Sequence, residues 1–245
     1  MRHSPAVALL AAAMAAGCND STSPGGARSV SLSFASGTTG ASASIAPGLN
    51  ADIVVGSGTN AVTINRVQLV LREIELKKAS DEACADGTSD DECEEVSLGP
   101  VLVDLPLDGS VTSPFSVSIP EGTYREIEFE LHKPEDNGDA RDAAFLATNP
   151  TFARTSVRIQ GVYNGAPFTL STDVNEELEL EFEPALVVGA EGGNATINVD
   201  VARWFRTSTG TILAPTSGNL RAISENIAAS FRAFDDDDRN GRRDD

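Results

Sequence analysis

The residues best typed and spaced for chemistry stand at the end of the chain, in the run DDDDRNGRRDD from Asp235 to Asp245. Within it, Asp236-x-Asp238-x-Asn240-Gly241-x-x-Asp244 follows the calcium-loop pattern D-x-[DN]-x-[DN]-G over its first nine positions. Oxygens at alternate positions of a tight loop converge on one hard cation, Gly241 permits the sharp turn, and Arg242 would contribute its backbone carbonyl. The bidentate acid usual at position twelve would fall past Asp245, and no second helix follows. A frayed acidic tail is the plainer reading of the same residues.

Acids also recur in rows. Glu126, Glu128 and Glu130 alternate with apolar residues, as do Glu177, Glu179, Glu181 and Glu183. On a strand such acids share one face about 6 to 7 Å apart. That spacing suits a cation or a basic partner, although a solvated face explains it more simply. Plentiful acids also leave open a paired-carboxylate hydrolase. Other catalytic patterns are missing, since no G-x-S-x-G, H-E-x-x-H or phosphate-binding loop occurs. His132 would be the lone imidazole of a processed chain, and a single strand-end histidine is usually structural or exposed. Trp204 with Phe205 could stack on a sugar ring, with core packing as the simpler role. No catalysis is expected.

The chain carries 18 Lys+Arg against 37 Asp+Glu, a formal charge of -19. Such a field repels phosphate backbones, which argues against nucleic acid and for divalent cations or basic partners. Residues 1–17 place Arg2 and His3 before an apolar run, Ala6 to Ala16, too short to span a bilayer. This is the pattern of an export signal peptide. Ala15-Ala16-Gly17-Cys18 resembles the bacterial lipobox, with Ala at position 15 where Leu is commonest. The resemblance implies cleavage before Cys18, a diacylglyceryl thioether on its sulfur and a further acyl chain, such as palmitate, on its new amino group. Several chains at about 0.8 kcal/mol per buried CH₂ make a stable membrane anchor. Asn19 directly after Cys18 resembles the sorting signal for the outer membrane more than the inner. With Cys18 acylated, Cys84 and Cys93 remain as an even pair in an oxidising compartment and are expected to form a disulfide. A zinc half-site at that spacing would lack a second pair of ligands.

The elements that must position these groups are mostly strands. Residues 18–29 are rich in Ser, Gly and Pro, a flexible tether. Ala61 to Leu76 (AVTINRVQLVLREIEL) is the apolar spine, and its alternation changes phase twice. Those slips predict one strand with bulges near Asn65-Arg66 and Arg72-Glu73. A helix is the alternative for this stretch. Alternating runs at Val30 to Phe34, Val101 to Leu107, Phe115 to Ile119, Thr123 to Leu131, Leu178 to Phe182 and Ile197 to Val201 predict further strands. Asn164-Gly165 between two such runs predicts a type I′ hairpin. A polar stretch from Lys133 to Pro150, with a helical turn near Asp142 to Ala147, divides the β region into residues 30–134 and 150–216, of one domain or two. Leu220, Ile223, Ile227, Phe231 and Phe234 recur at helical spacing and predict one amphipathic helix over residues 219–234, ahead of the acidic tail at 235–245. The fold expected is mainly β, an antiparallel β-sandwich with one C-terminal amphipathic α-helix.

NRVQLVLREIEL, VLVDLPL and PEGTYREIEFEL together resemble bacterial surface lipoproteins with an immunoglobulin-like or transthyretin-like β domain of unknown function. SVRIQGVYNGAPFTL, DVARWF and NIAASFRAFDDDD resemble a C-terminal extension of such lipoproteins, although the D-A-P turn that often follows the first strand is absent. The resemblance implies no activity and no functional residues. The expectation is a lipid-anchored protein of the bacterial cell envelope acting as a binding or structural module, with a protein or glycan partner. Its alternatives are a carboxylate-based envelope hydrolase and a calcium-dependent assembly module.

Overall fold

The computed structural model describes residues 27–37, 43–45, 52–79, 95–96 and 98–244. Its strands are β1 (Ala27–Ser36), β2 (Ala43–Ile45), β3 (Ile53–Val55), β4 (Val62–Lys78), β5 (Glu95–Val96), β6 (Val101–Leu105), β7 (Val111–Pro120), β8 (Gly122–Leu131), β9 (Val157–Tyr163), β10 (Ala166–Thr172), β11 (Glu176–Val188), β12 (Gly193–Val199) and β13 (Phe231–Asp235). The helices are α1 (Ala140–Thr148), α2 (Val201–Trp204) and α3 (Leu220–Ala228). β1 begins at Ala27, inside the stretch 18–29 that composition assigns to a tether.

The spine is β4, one strand with the two expected bulges. Its pairing with β9 shifts between Ile64 and Arg66, and its pairing with β8 shifts between Arg72 and Ile74, where Glu73 takes a φ of 50°. Each bulge resets the alternation, so Val62 and Ile64, then Val67, Leu69 and Leu71, then Ile74 and Leu76 are all buried in the main core. Without the first reset, a period of two would turn Val67, Leu69 and Leu71 to the opposite face, and without the second it would turn Ile74 and Leu76 there. One edge of β4 pairs with β9 and then β8, while β3, β6 and β5 follow along its other edge.

From there the pairing runs β10-β9-β4-β8-β11-β13-β12-β1-β7. The two stretches separated by residues 133–150 therefore interleave, with β9 against β4 and β11 against β8. The Asn164-Gly165 hairpin is present, with φ of 52° and 75° at the two turn residues and Tyr163 opposite Ala166.

Two expectations need correction. The sheet is mixed and curled, not purely antiparallel, because β1 runs parallel to β12 and β11 parallel to β13. Side-chain alternation sets which face a strand buries; it carries no information on direction or partner. The helix expected over 219–234 stops at Ala228, and Phe231–Asp235 is strand β13. Phe231 satisfies both periods, being four residues after the helix-facing Ile227 and two before the strand-facing Ala233, and all three are buried. Buried Ser230 marks the change: its hydroxyl donates to Ile227 O at 2.6 Å and accepts Trp204 Nε1–H at 2.7 Å. Trp204 and Phe205 are fully buried, so the sugar-stacking role falls and core packing holds.

Candidate functional site

The C-terminal acids form a docked loop, not a frayed tail. Where β13 ends, Asp236 N–H donates to Asn194 O at 3.1 Å, and the Asp236 side chain is fully buried. Its Oδ2 accepts from Thr196 Oγ1 at 2.6 Å and from Gly241 N at 3.0 Å, and its Oδ1 from Asn240 N at 2.9 Å. Asp238 Oδ1 also accepts from Asn240 N, at 3.1 Å, and Asn240 Oδ1 accepts from Arg242 N at 2.8 Å. Asp244 closes the loop, accepting Asp237 N–H at 2.8 Å and donating its own N–H to Asp235 O at 3.2 Å. Gly241 has a φ of 76°, and a Cβ there would lie 2.9 Å from Val111 Cγ2. Only glycine serves both the turn and the close approach.

Carboxylate oxygens of Asp236, Asp238 and Asp244 lie within 4.8 Å of one another. Two oxygens that each sit at a calcium bond length of 2.3 to 2.6 Å are at most about 5 Å apart. The three are therefore spaced to share one ion. Among the described residues none of the three is ion-paired with Lys or Arg. The neighbouring Asp235 carboxyl is pushed up by burial, with the charges of Asp237 and Asp244 adding to it, against backbone hydrogen bonds from Val187 and Asp236. Asp235 and Asp237 also approach Asp244 within the same limit.

Behind the loop runs a polar chain, buried at Asn194 and Ser33, that sequence reading missed. Asn194 Nδ2 donates to Asp236 O at 2.7 Å, Ser33 Oγ donates to Asn194 Oδ1 at 2.7 Å, and Ser33 meets Ser113 Oγ at 2.7 Å. The chain links β7, β1 and β12 to the first ligand position. Its members are up to 203 residues from Asp236 in sequence, so no local pattern could have exposed them. The one hint is that Ser33, Asn194 and Thr196 sit among apolar residues inside strands.

His132 is structural, but not idle. It is buried at the end of β8, its Nε2 is 2.7 Å from Asp142 Oδ1 of α1, and its Nδ1 is 3.5 Å from Glu130 Oε2. That second contact is within ion-pair reach without being a hydrogen bond. Both ring nitrogens face carboxylates, which leaves neither for a substrate. Burial works to depress the imidazole, yet Glu130 and Asp142 outweigh it and the net shift is upward, while the Glu130 carboxyl is held low chiefly by His132.

The expected glutamate rows form one acidic sheet face. Glu177, Glu179 and Glu181 on β11 lie directly opposite Glu130, Glu128 and Glu126 on β8, an arrangement that is unfavourable pair by pair. Lys77 of β4 pairs with both Glu126 and Glu128, and Arg72 pairs with Glu73 and Asp139. Glu73, Glu75, Glu128, Glu130 and Glu177 line a cavity of about 350 Å³ with Ile74 and Asn175. Within it burial pushes the Glu128 carboxyl up, against the pull of Lys77.

Cys18, Cys84 and Cys93 lie outside the described residues, as do the expected export signal, most of the expected tether and Asp245. No family model, curated protein or solved structure matches the chain.

Proposed function

We propose that this protein is a lipid-anchored, non-catalytic module of the bacterial envelope whose C-terminal loop binds one calcium ion. The observation that carries the reading is the loop itself. Three carboxylates sit at calcium-sharing distance around a D-x-D-x-N-G turn, with the first one buried and fixed by Thr196 and two loop amides. Asp236, Asp238, Asn240 and Asp244 would hold the ion with side-chain oxygens and Arg242 with its carbonyl, and water would complete the shell. Burying an unpaired carboxylate is costly, and a bound cation is the direct compensation. The ion would tie the end of the chain to β12, and through the Asn194–Ser33–Ser113 chain to β1 and β7. Calcium therefore acts here as a staple of a sandwich-like body built on the curled sheet. The anchor rests on the Cys18 lipobox resemblance and the binding role on the acidic β4–β8–β11 face, which suits a basic protein partner better than a glycan. Titration calorimetry of the chain without its leader tests the metal reading. One calcium bound in the 10⁻⁴ to 10⁻³ M range typical of extracellular modules supports it, and the absence of any heat removes it.

A second reading, a carboxylate hydrolase, has one observation in its favour: Glu128 pushed up and Glu130 held low in the same cavity. Opposed shifts of this kind mark acid and base pairs in glycosidases. Here both acids already have structural partners, Lys77 for one and His132 with Asn175 for the other, which favours the module.

A further inference from the structure

We propose that His132 is a pH-operated latch that holds the α1 cap, residues 134–156, against the sheet beside the acidic cavity. The cap carries little apolar adhesion of its own. Its contact with the sheet is a separate small cluster in which Phe145 and Phe152 pack on Val70, with Leu102 and Leu146 at the margin. A region docked by so few buried side chains opens locally at a fraction of the global free energy. His132 adds a charged contact to two others, the Arg72–Asp139 ion pair and Arg158 of β9, which lies 4.3 Å over the Phe152 ring. The ring sits on β8, its Nε2 reaches Asp142 of α1, and Asp142 in turn accepts Glu135 N–H at 2.8 Å from the segment entering the cap. The backbone of His132 donates to Val70 O at 2.9 Å, so latch and apolar cluster share one residue of β4.

The protonation state decides whether the latch holds. With a carboxylate at each nitrogen, the imidazolium donates or attracts on both sides. The neutral ring can satisfy Asp142 but then points a lone pair at Glu130. The charges in contact with it are Glu130 on β8 and Asp142 of α1; around these stand Glu128 on β8, Arg72 and Glu73 on β4, Asp139 at the start of α1, and Lys133, Glu135 and Arg154 at the base of the cap. Lys133 and Arg154 both pair with Glu135, and Arg72 pairs with Asp139 and Glu73 while its charge also reaches Glu130.

The sign follows from linkage. The docked His132 pKa is raised, so its contribution is complete below the free imidazole value of about 6.5 and is lost as pH rises through the docked value. The Glu130 pKa is lowered, so its contribution is complete above the ordinary carboxyl value of about 4.3 and is lost as pH falls through the docked value. Of the two contacts only His132–Asp142 crosses from the sheet to the cap, so the cap loosens as pH rises through the docked histidine value.

Hydrogen exchange of the full chain, corrected for intrinsic rates, tests this from pH 5.5 to 9. Protection across residues 140–148 should fall with rising pH, roughly tenfold for each unit by which the docked histidine pKa exceeds the free one, while β12 and β13 stay unchanged. His132→Gln should flatten the profile. A wild-type profile without pH dependence, or an unchanged dependence in the variant, overturns the proposal. If His132→Gln does not fold, an NMR titration of the wild-type imidazole decides instead. A midpoint above 6.5 that coincides with the loss of protection supports the latch, and a midpoint at or below 6.5 ends it.

Discussion

Replacing Asp238 with Asn removes a formal charge from the calcium loop while disturbing little else, because Asp238 is exposed and its oxygens serve only Asn240. If calcium binds with a dissociation constant of about 10⁻⁴ M, the weak-affinity regime of extracellular modules, then calcium at about 10 mM stabilises the folded chain by about 2.7 kcal/mol. For a chain of this size that shifts the melting temperature by roughly 5 to 10 °C. A tenfold weaker site in Asp238→Asn, equivalent to about 1.4 kcal/mol, leaves a stabilisation of only about 1.4 kcal/mol at the same calcium, or roughly 3 to 5 °C. The assay is a pair of melts, one in chelator and one in calcium, with magnesium at equal ionic strength as control. In chelator the variant should match the wild type or exceed it slightly, since one like-charge repulsion is gone. Equal calcium shifts in both proteins, or an equal shift with magnesium, would refute the assignment of these oxygens.

Three further outcomes are expected. Gly161→Ala would place a Cβ 2.0 Å from Thr63 O, at the pairing of β9 with the first bulge of β4, and should destabilise by more than about 3 kcal/mol, read as a lowered denaturation midpoint. Cys18→Ser should release the protein from membranes into the soluble fraction; a variant that still sediments with membranes removes the anchor. Glu128→Gln leaves the envelope-module reading intact if the wild type and variant are equally inert toward glycan substrates, whereas turnover by the wild type that vanishes in the variant would install the hydrolase.

The spine was readable because a bulge leaves a trace in one dimension: each slip in the apolar phase of β4 corresponds to an extra residue in its pairing. Asn164-Gly165 was readable for a similar reason, since few residues accept positive φ in succession. Strand direction left no such trace. β1 and β12 are parallel partners some 160 residues apart, and nothing in either run of alternating residues names the other. The C-terminal helix is shorter than its apolar spacing implies because Phe231 serves two periods at once, and only the turn at Ser230 separates them. At the candidate site the proposed ligands, Asp236, Asp238, Asn240 and Asp244, were legible through their fixed spacing. The sequence withheld what makes the loop a site, the burial of Asp236 against Thr196 and Asn194, because that depends on where β13 enters the sheet. The His132–Asp142 pair stayed hidden likewise, since one member ends a strand and the other opens a helix.

The most direct test of the central claim is anomalous diffraction from crystals grown with calcium. One peak ligated by Asp236, Asp238, Asn240, Asp244 and the Arg242 carbonyl is the predicted result. Clear density for the loop with no peak among those oxygens, or a calcium peak held by other residues instead, would contradict the account.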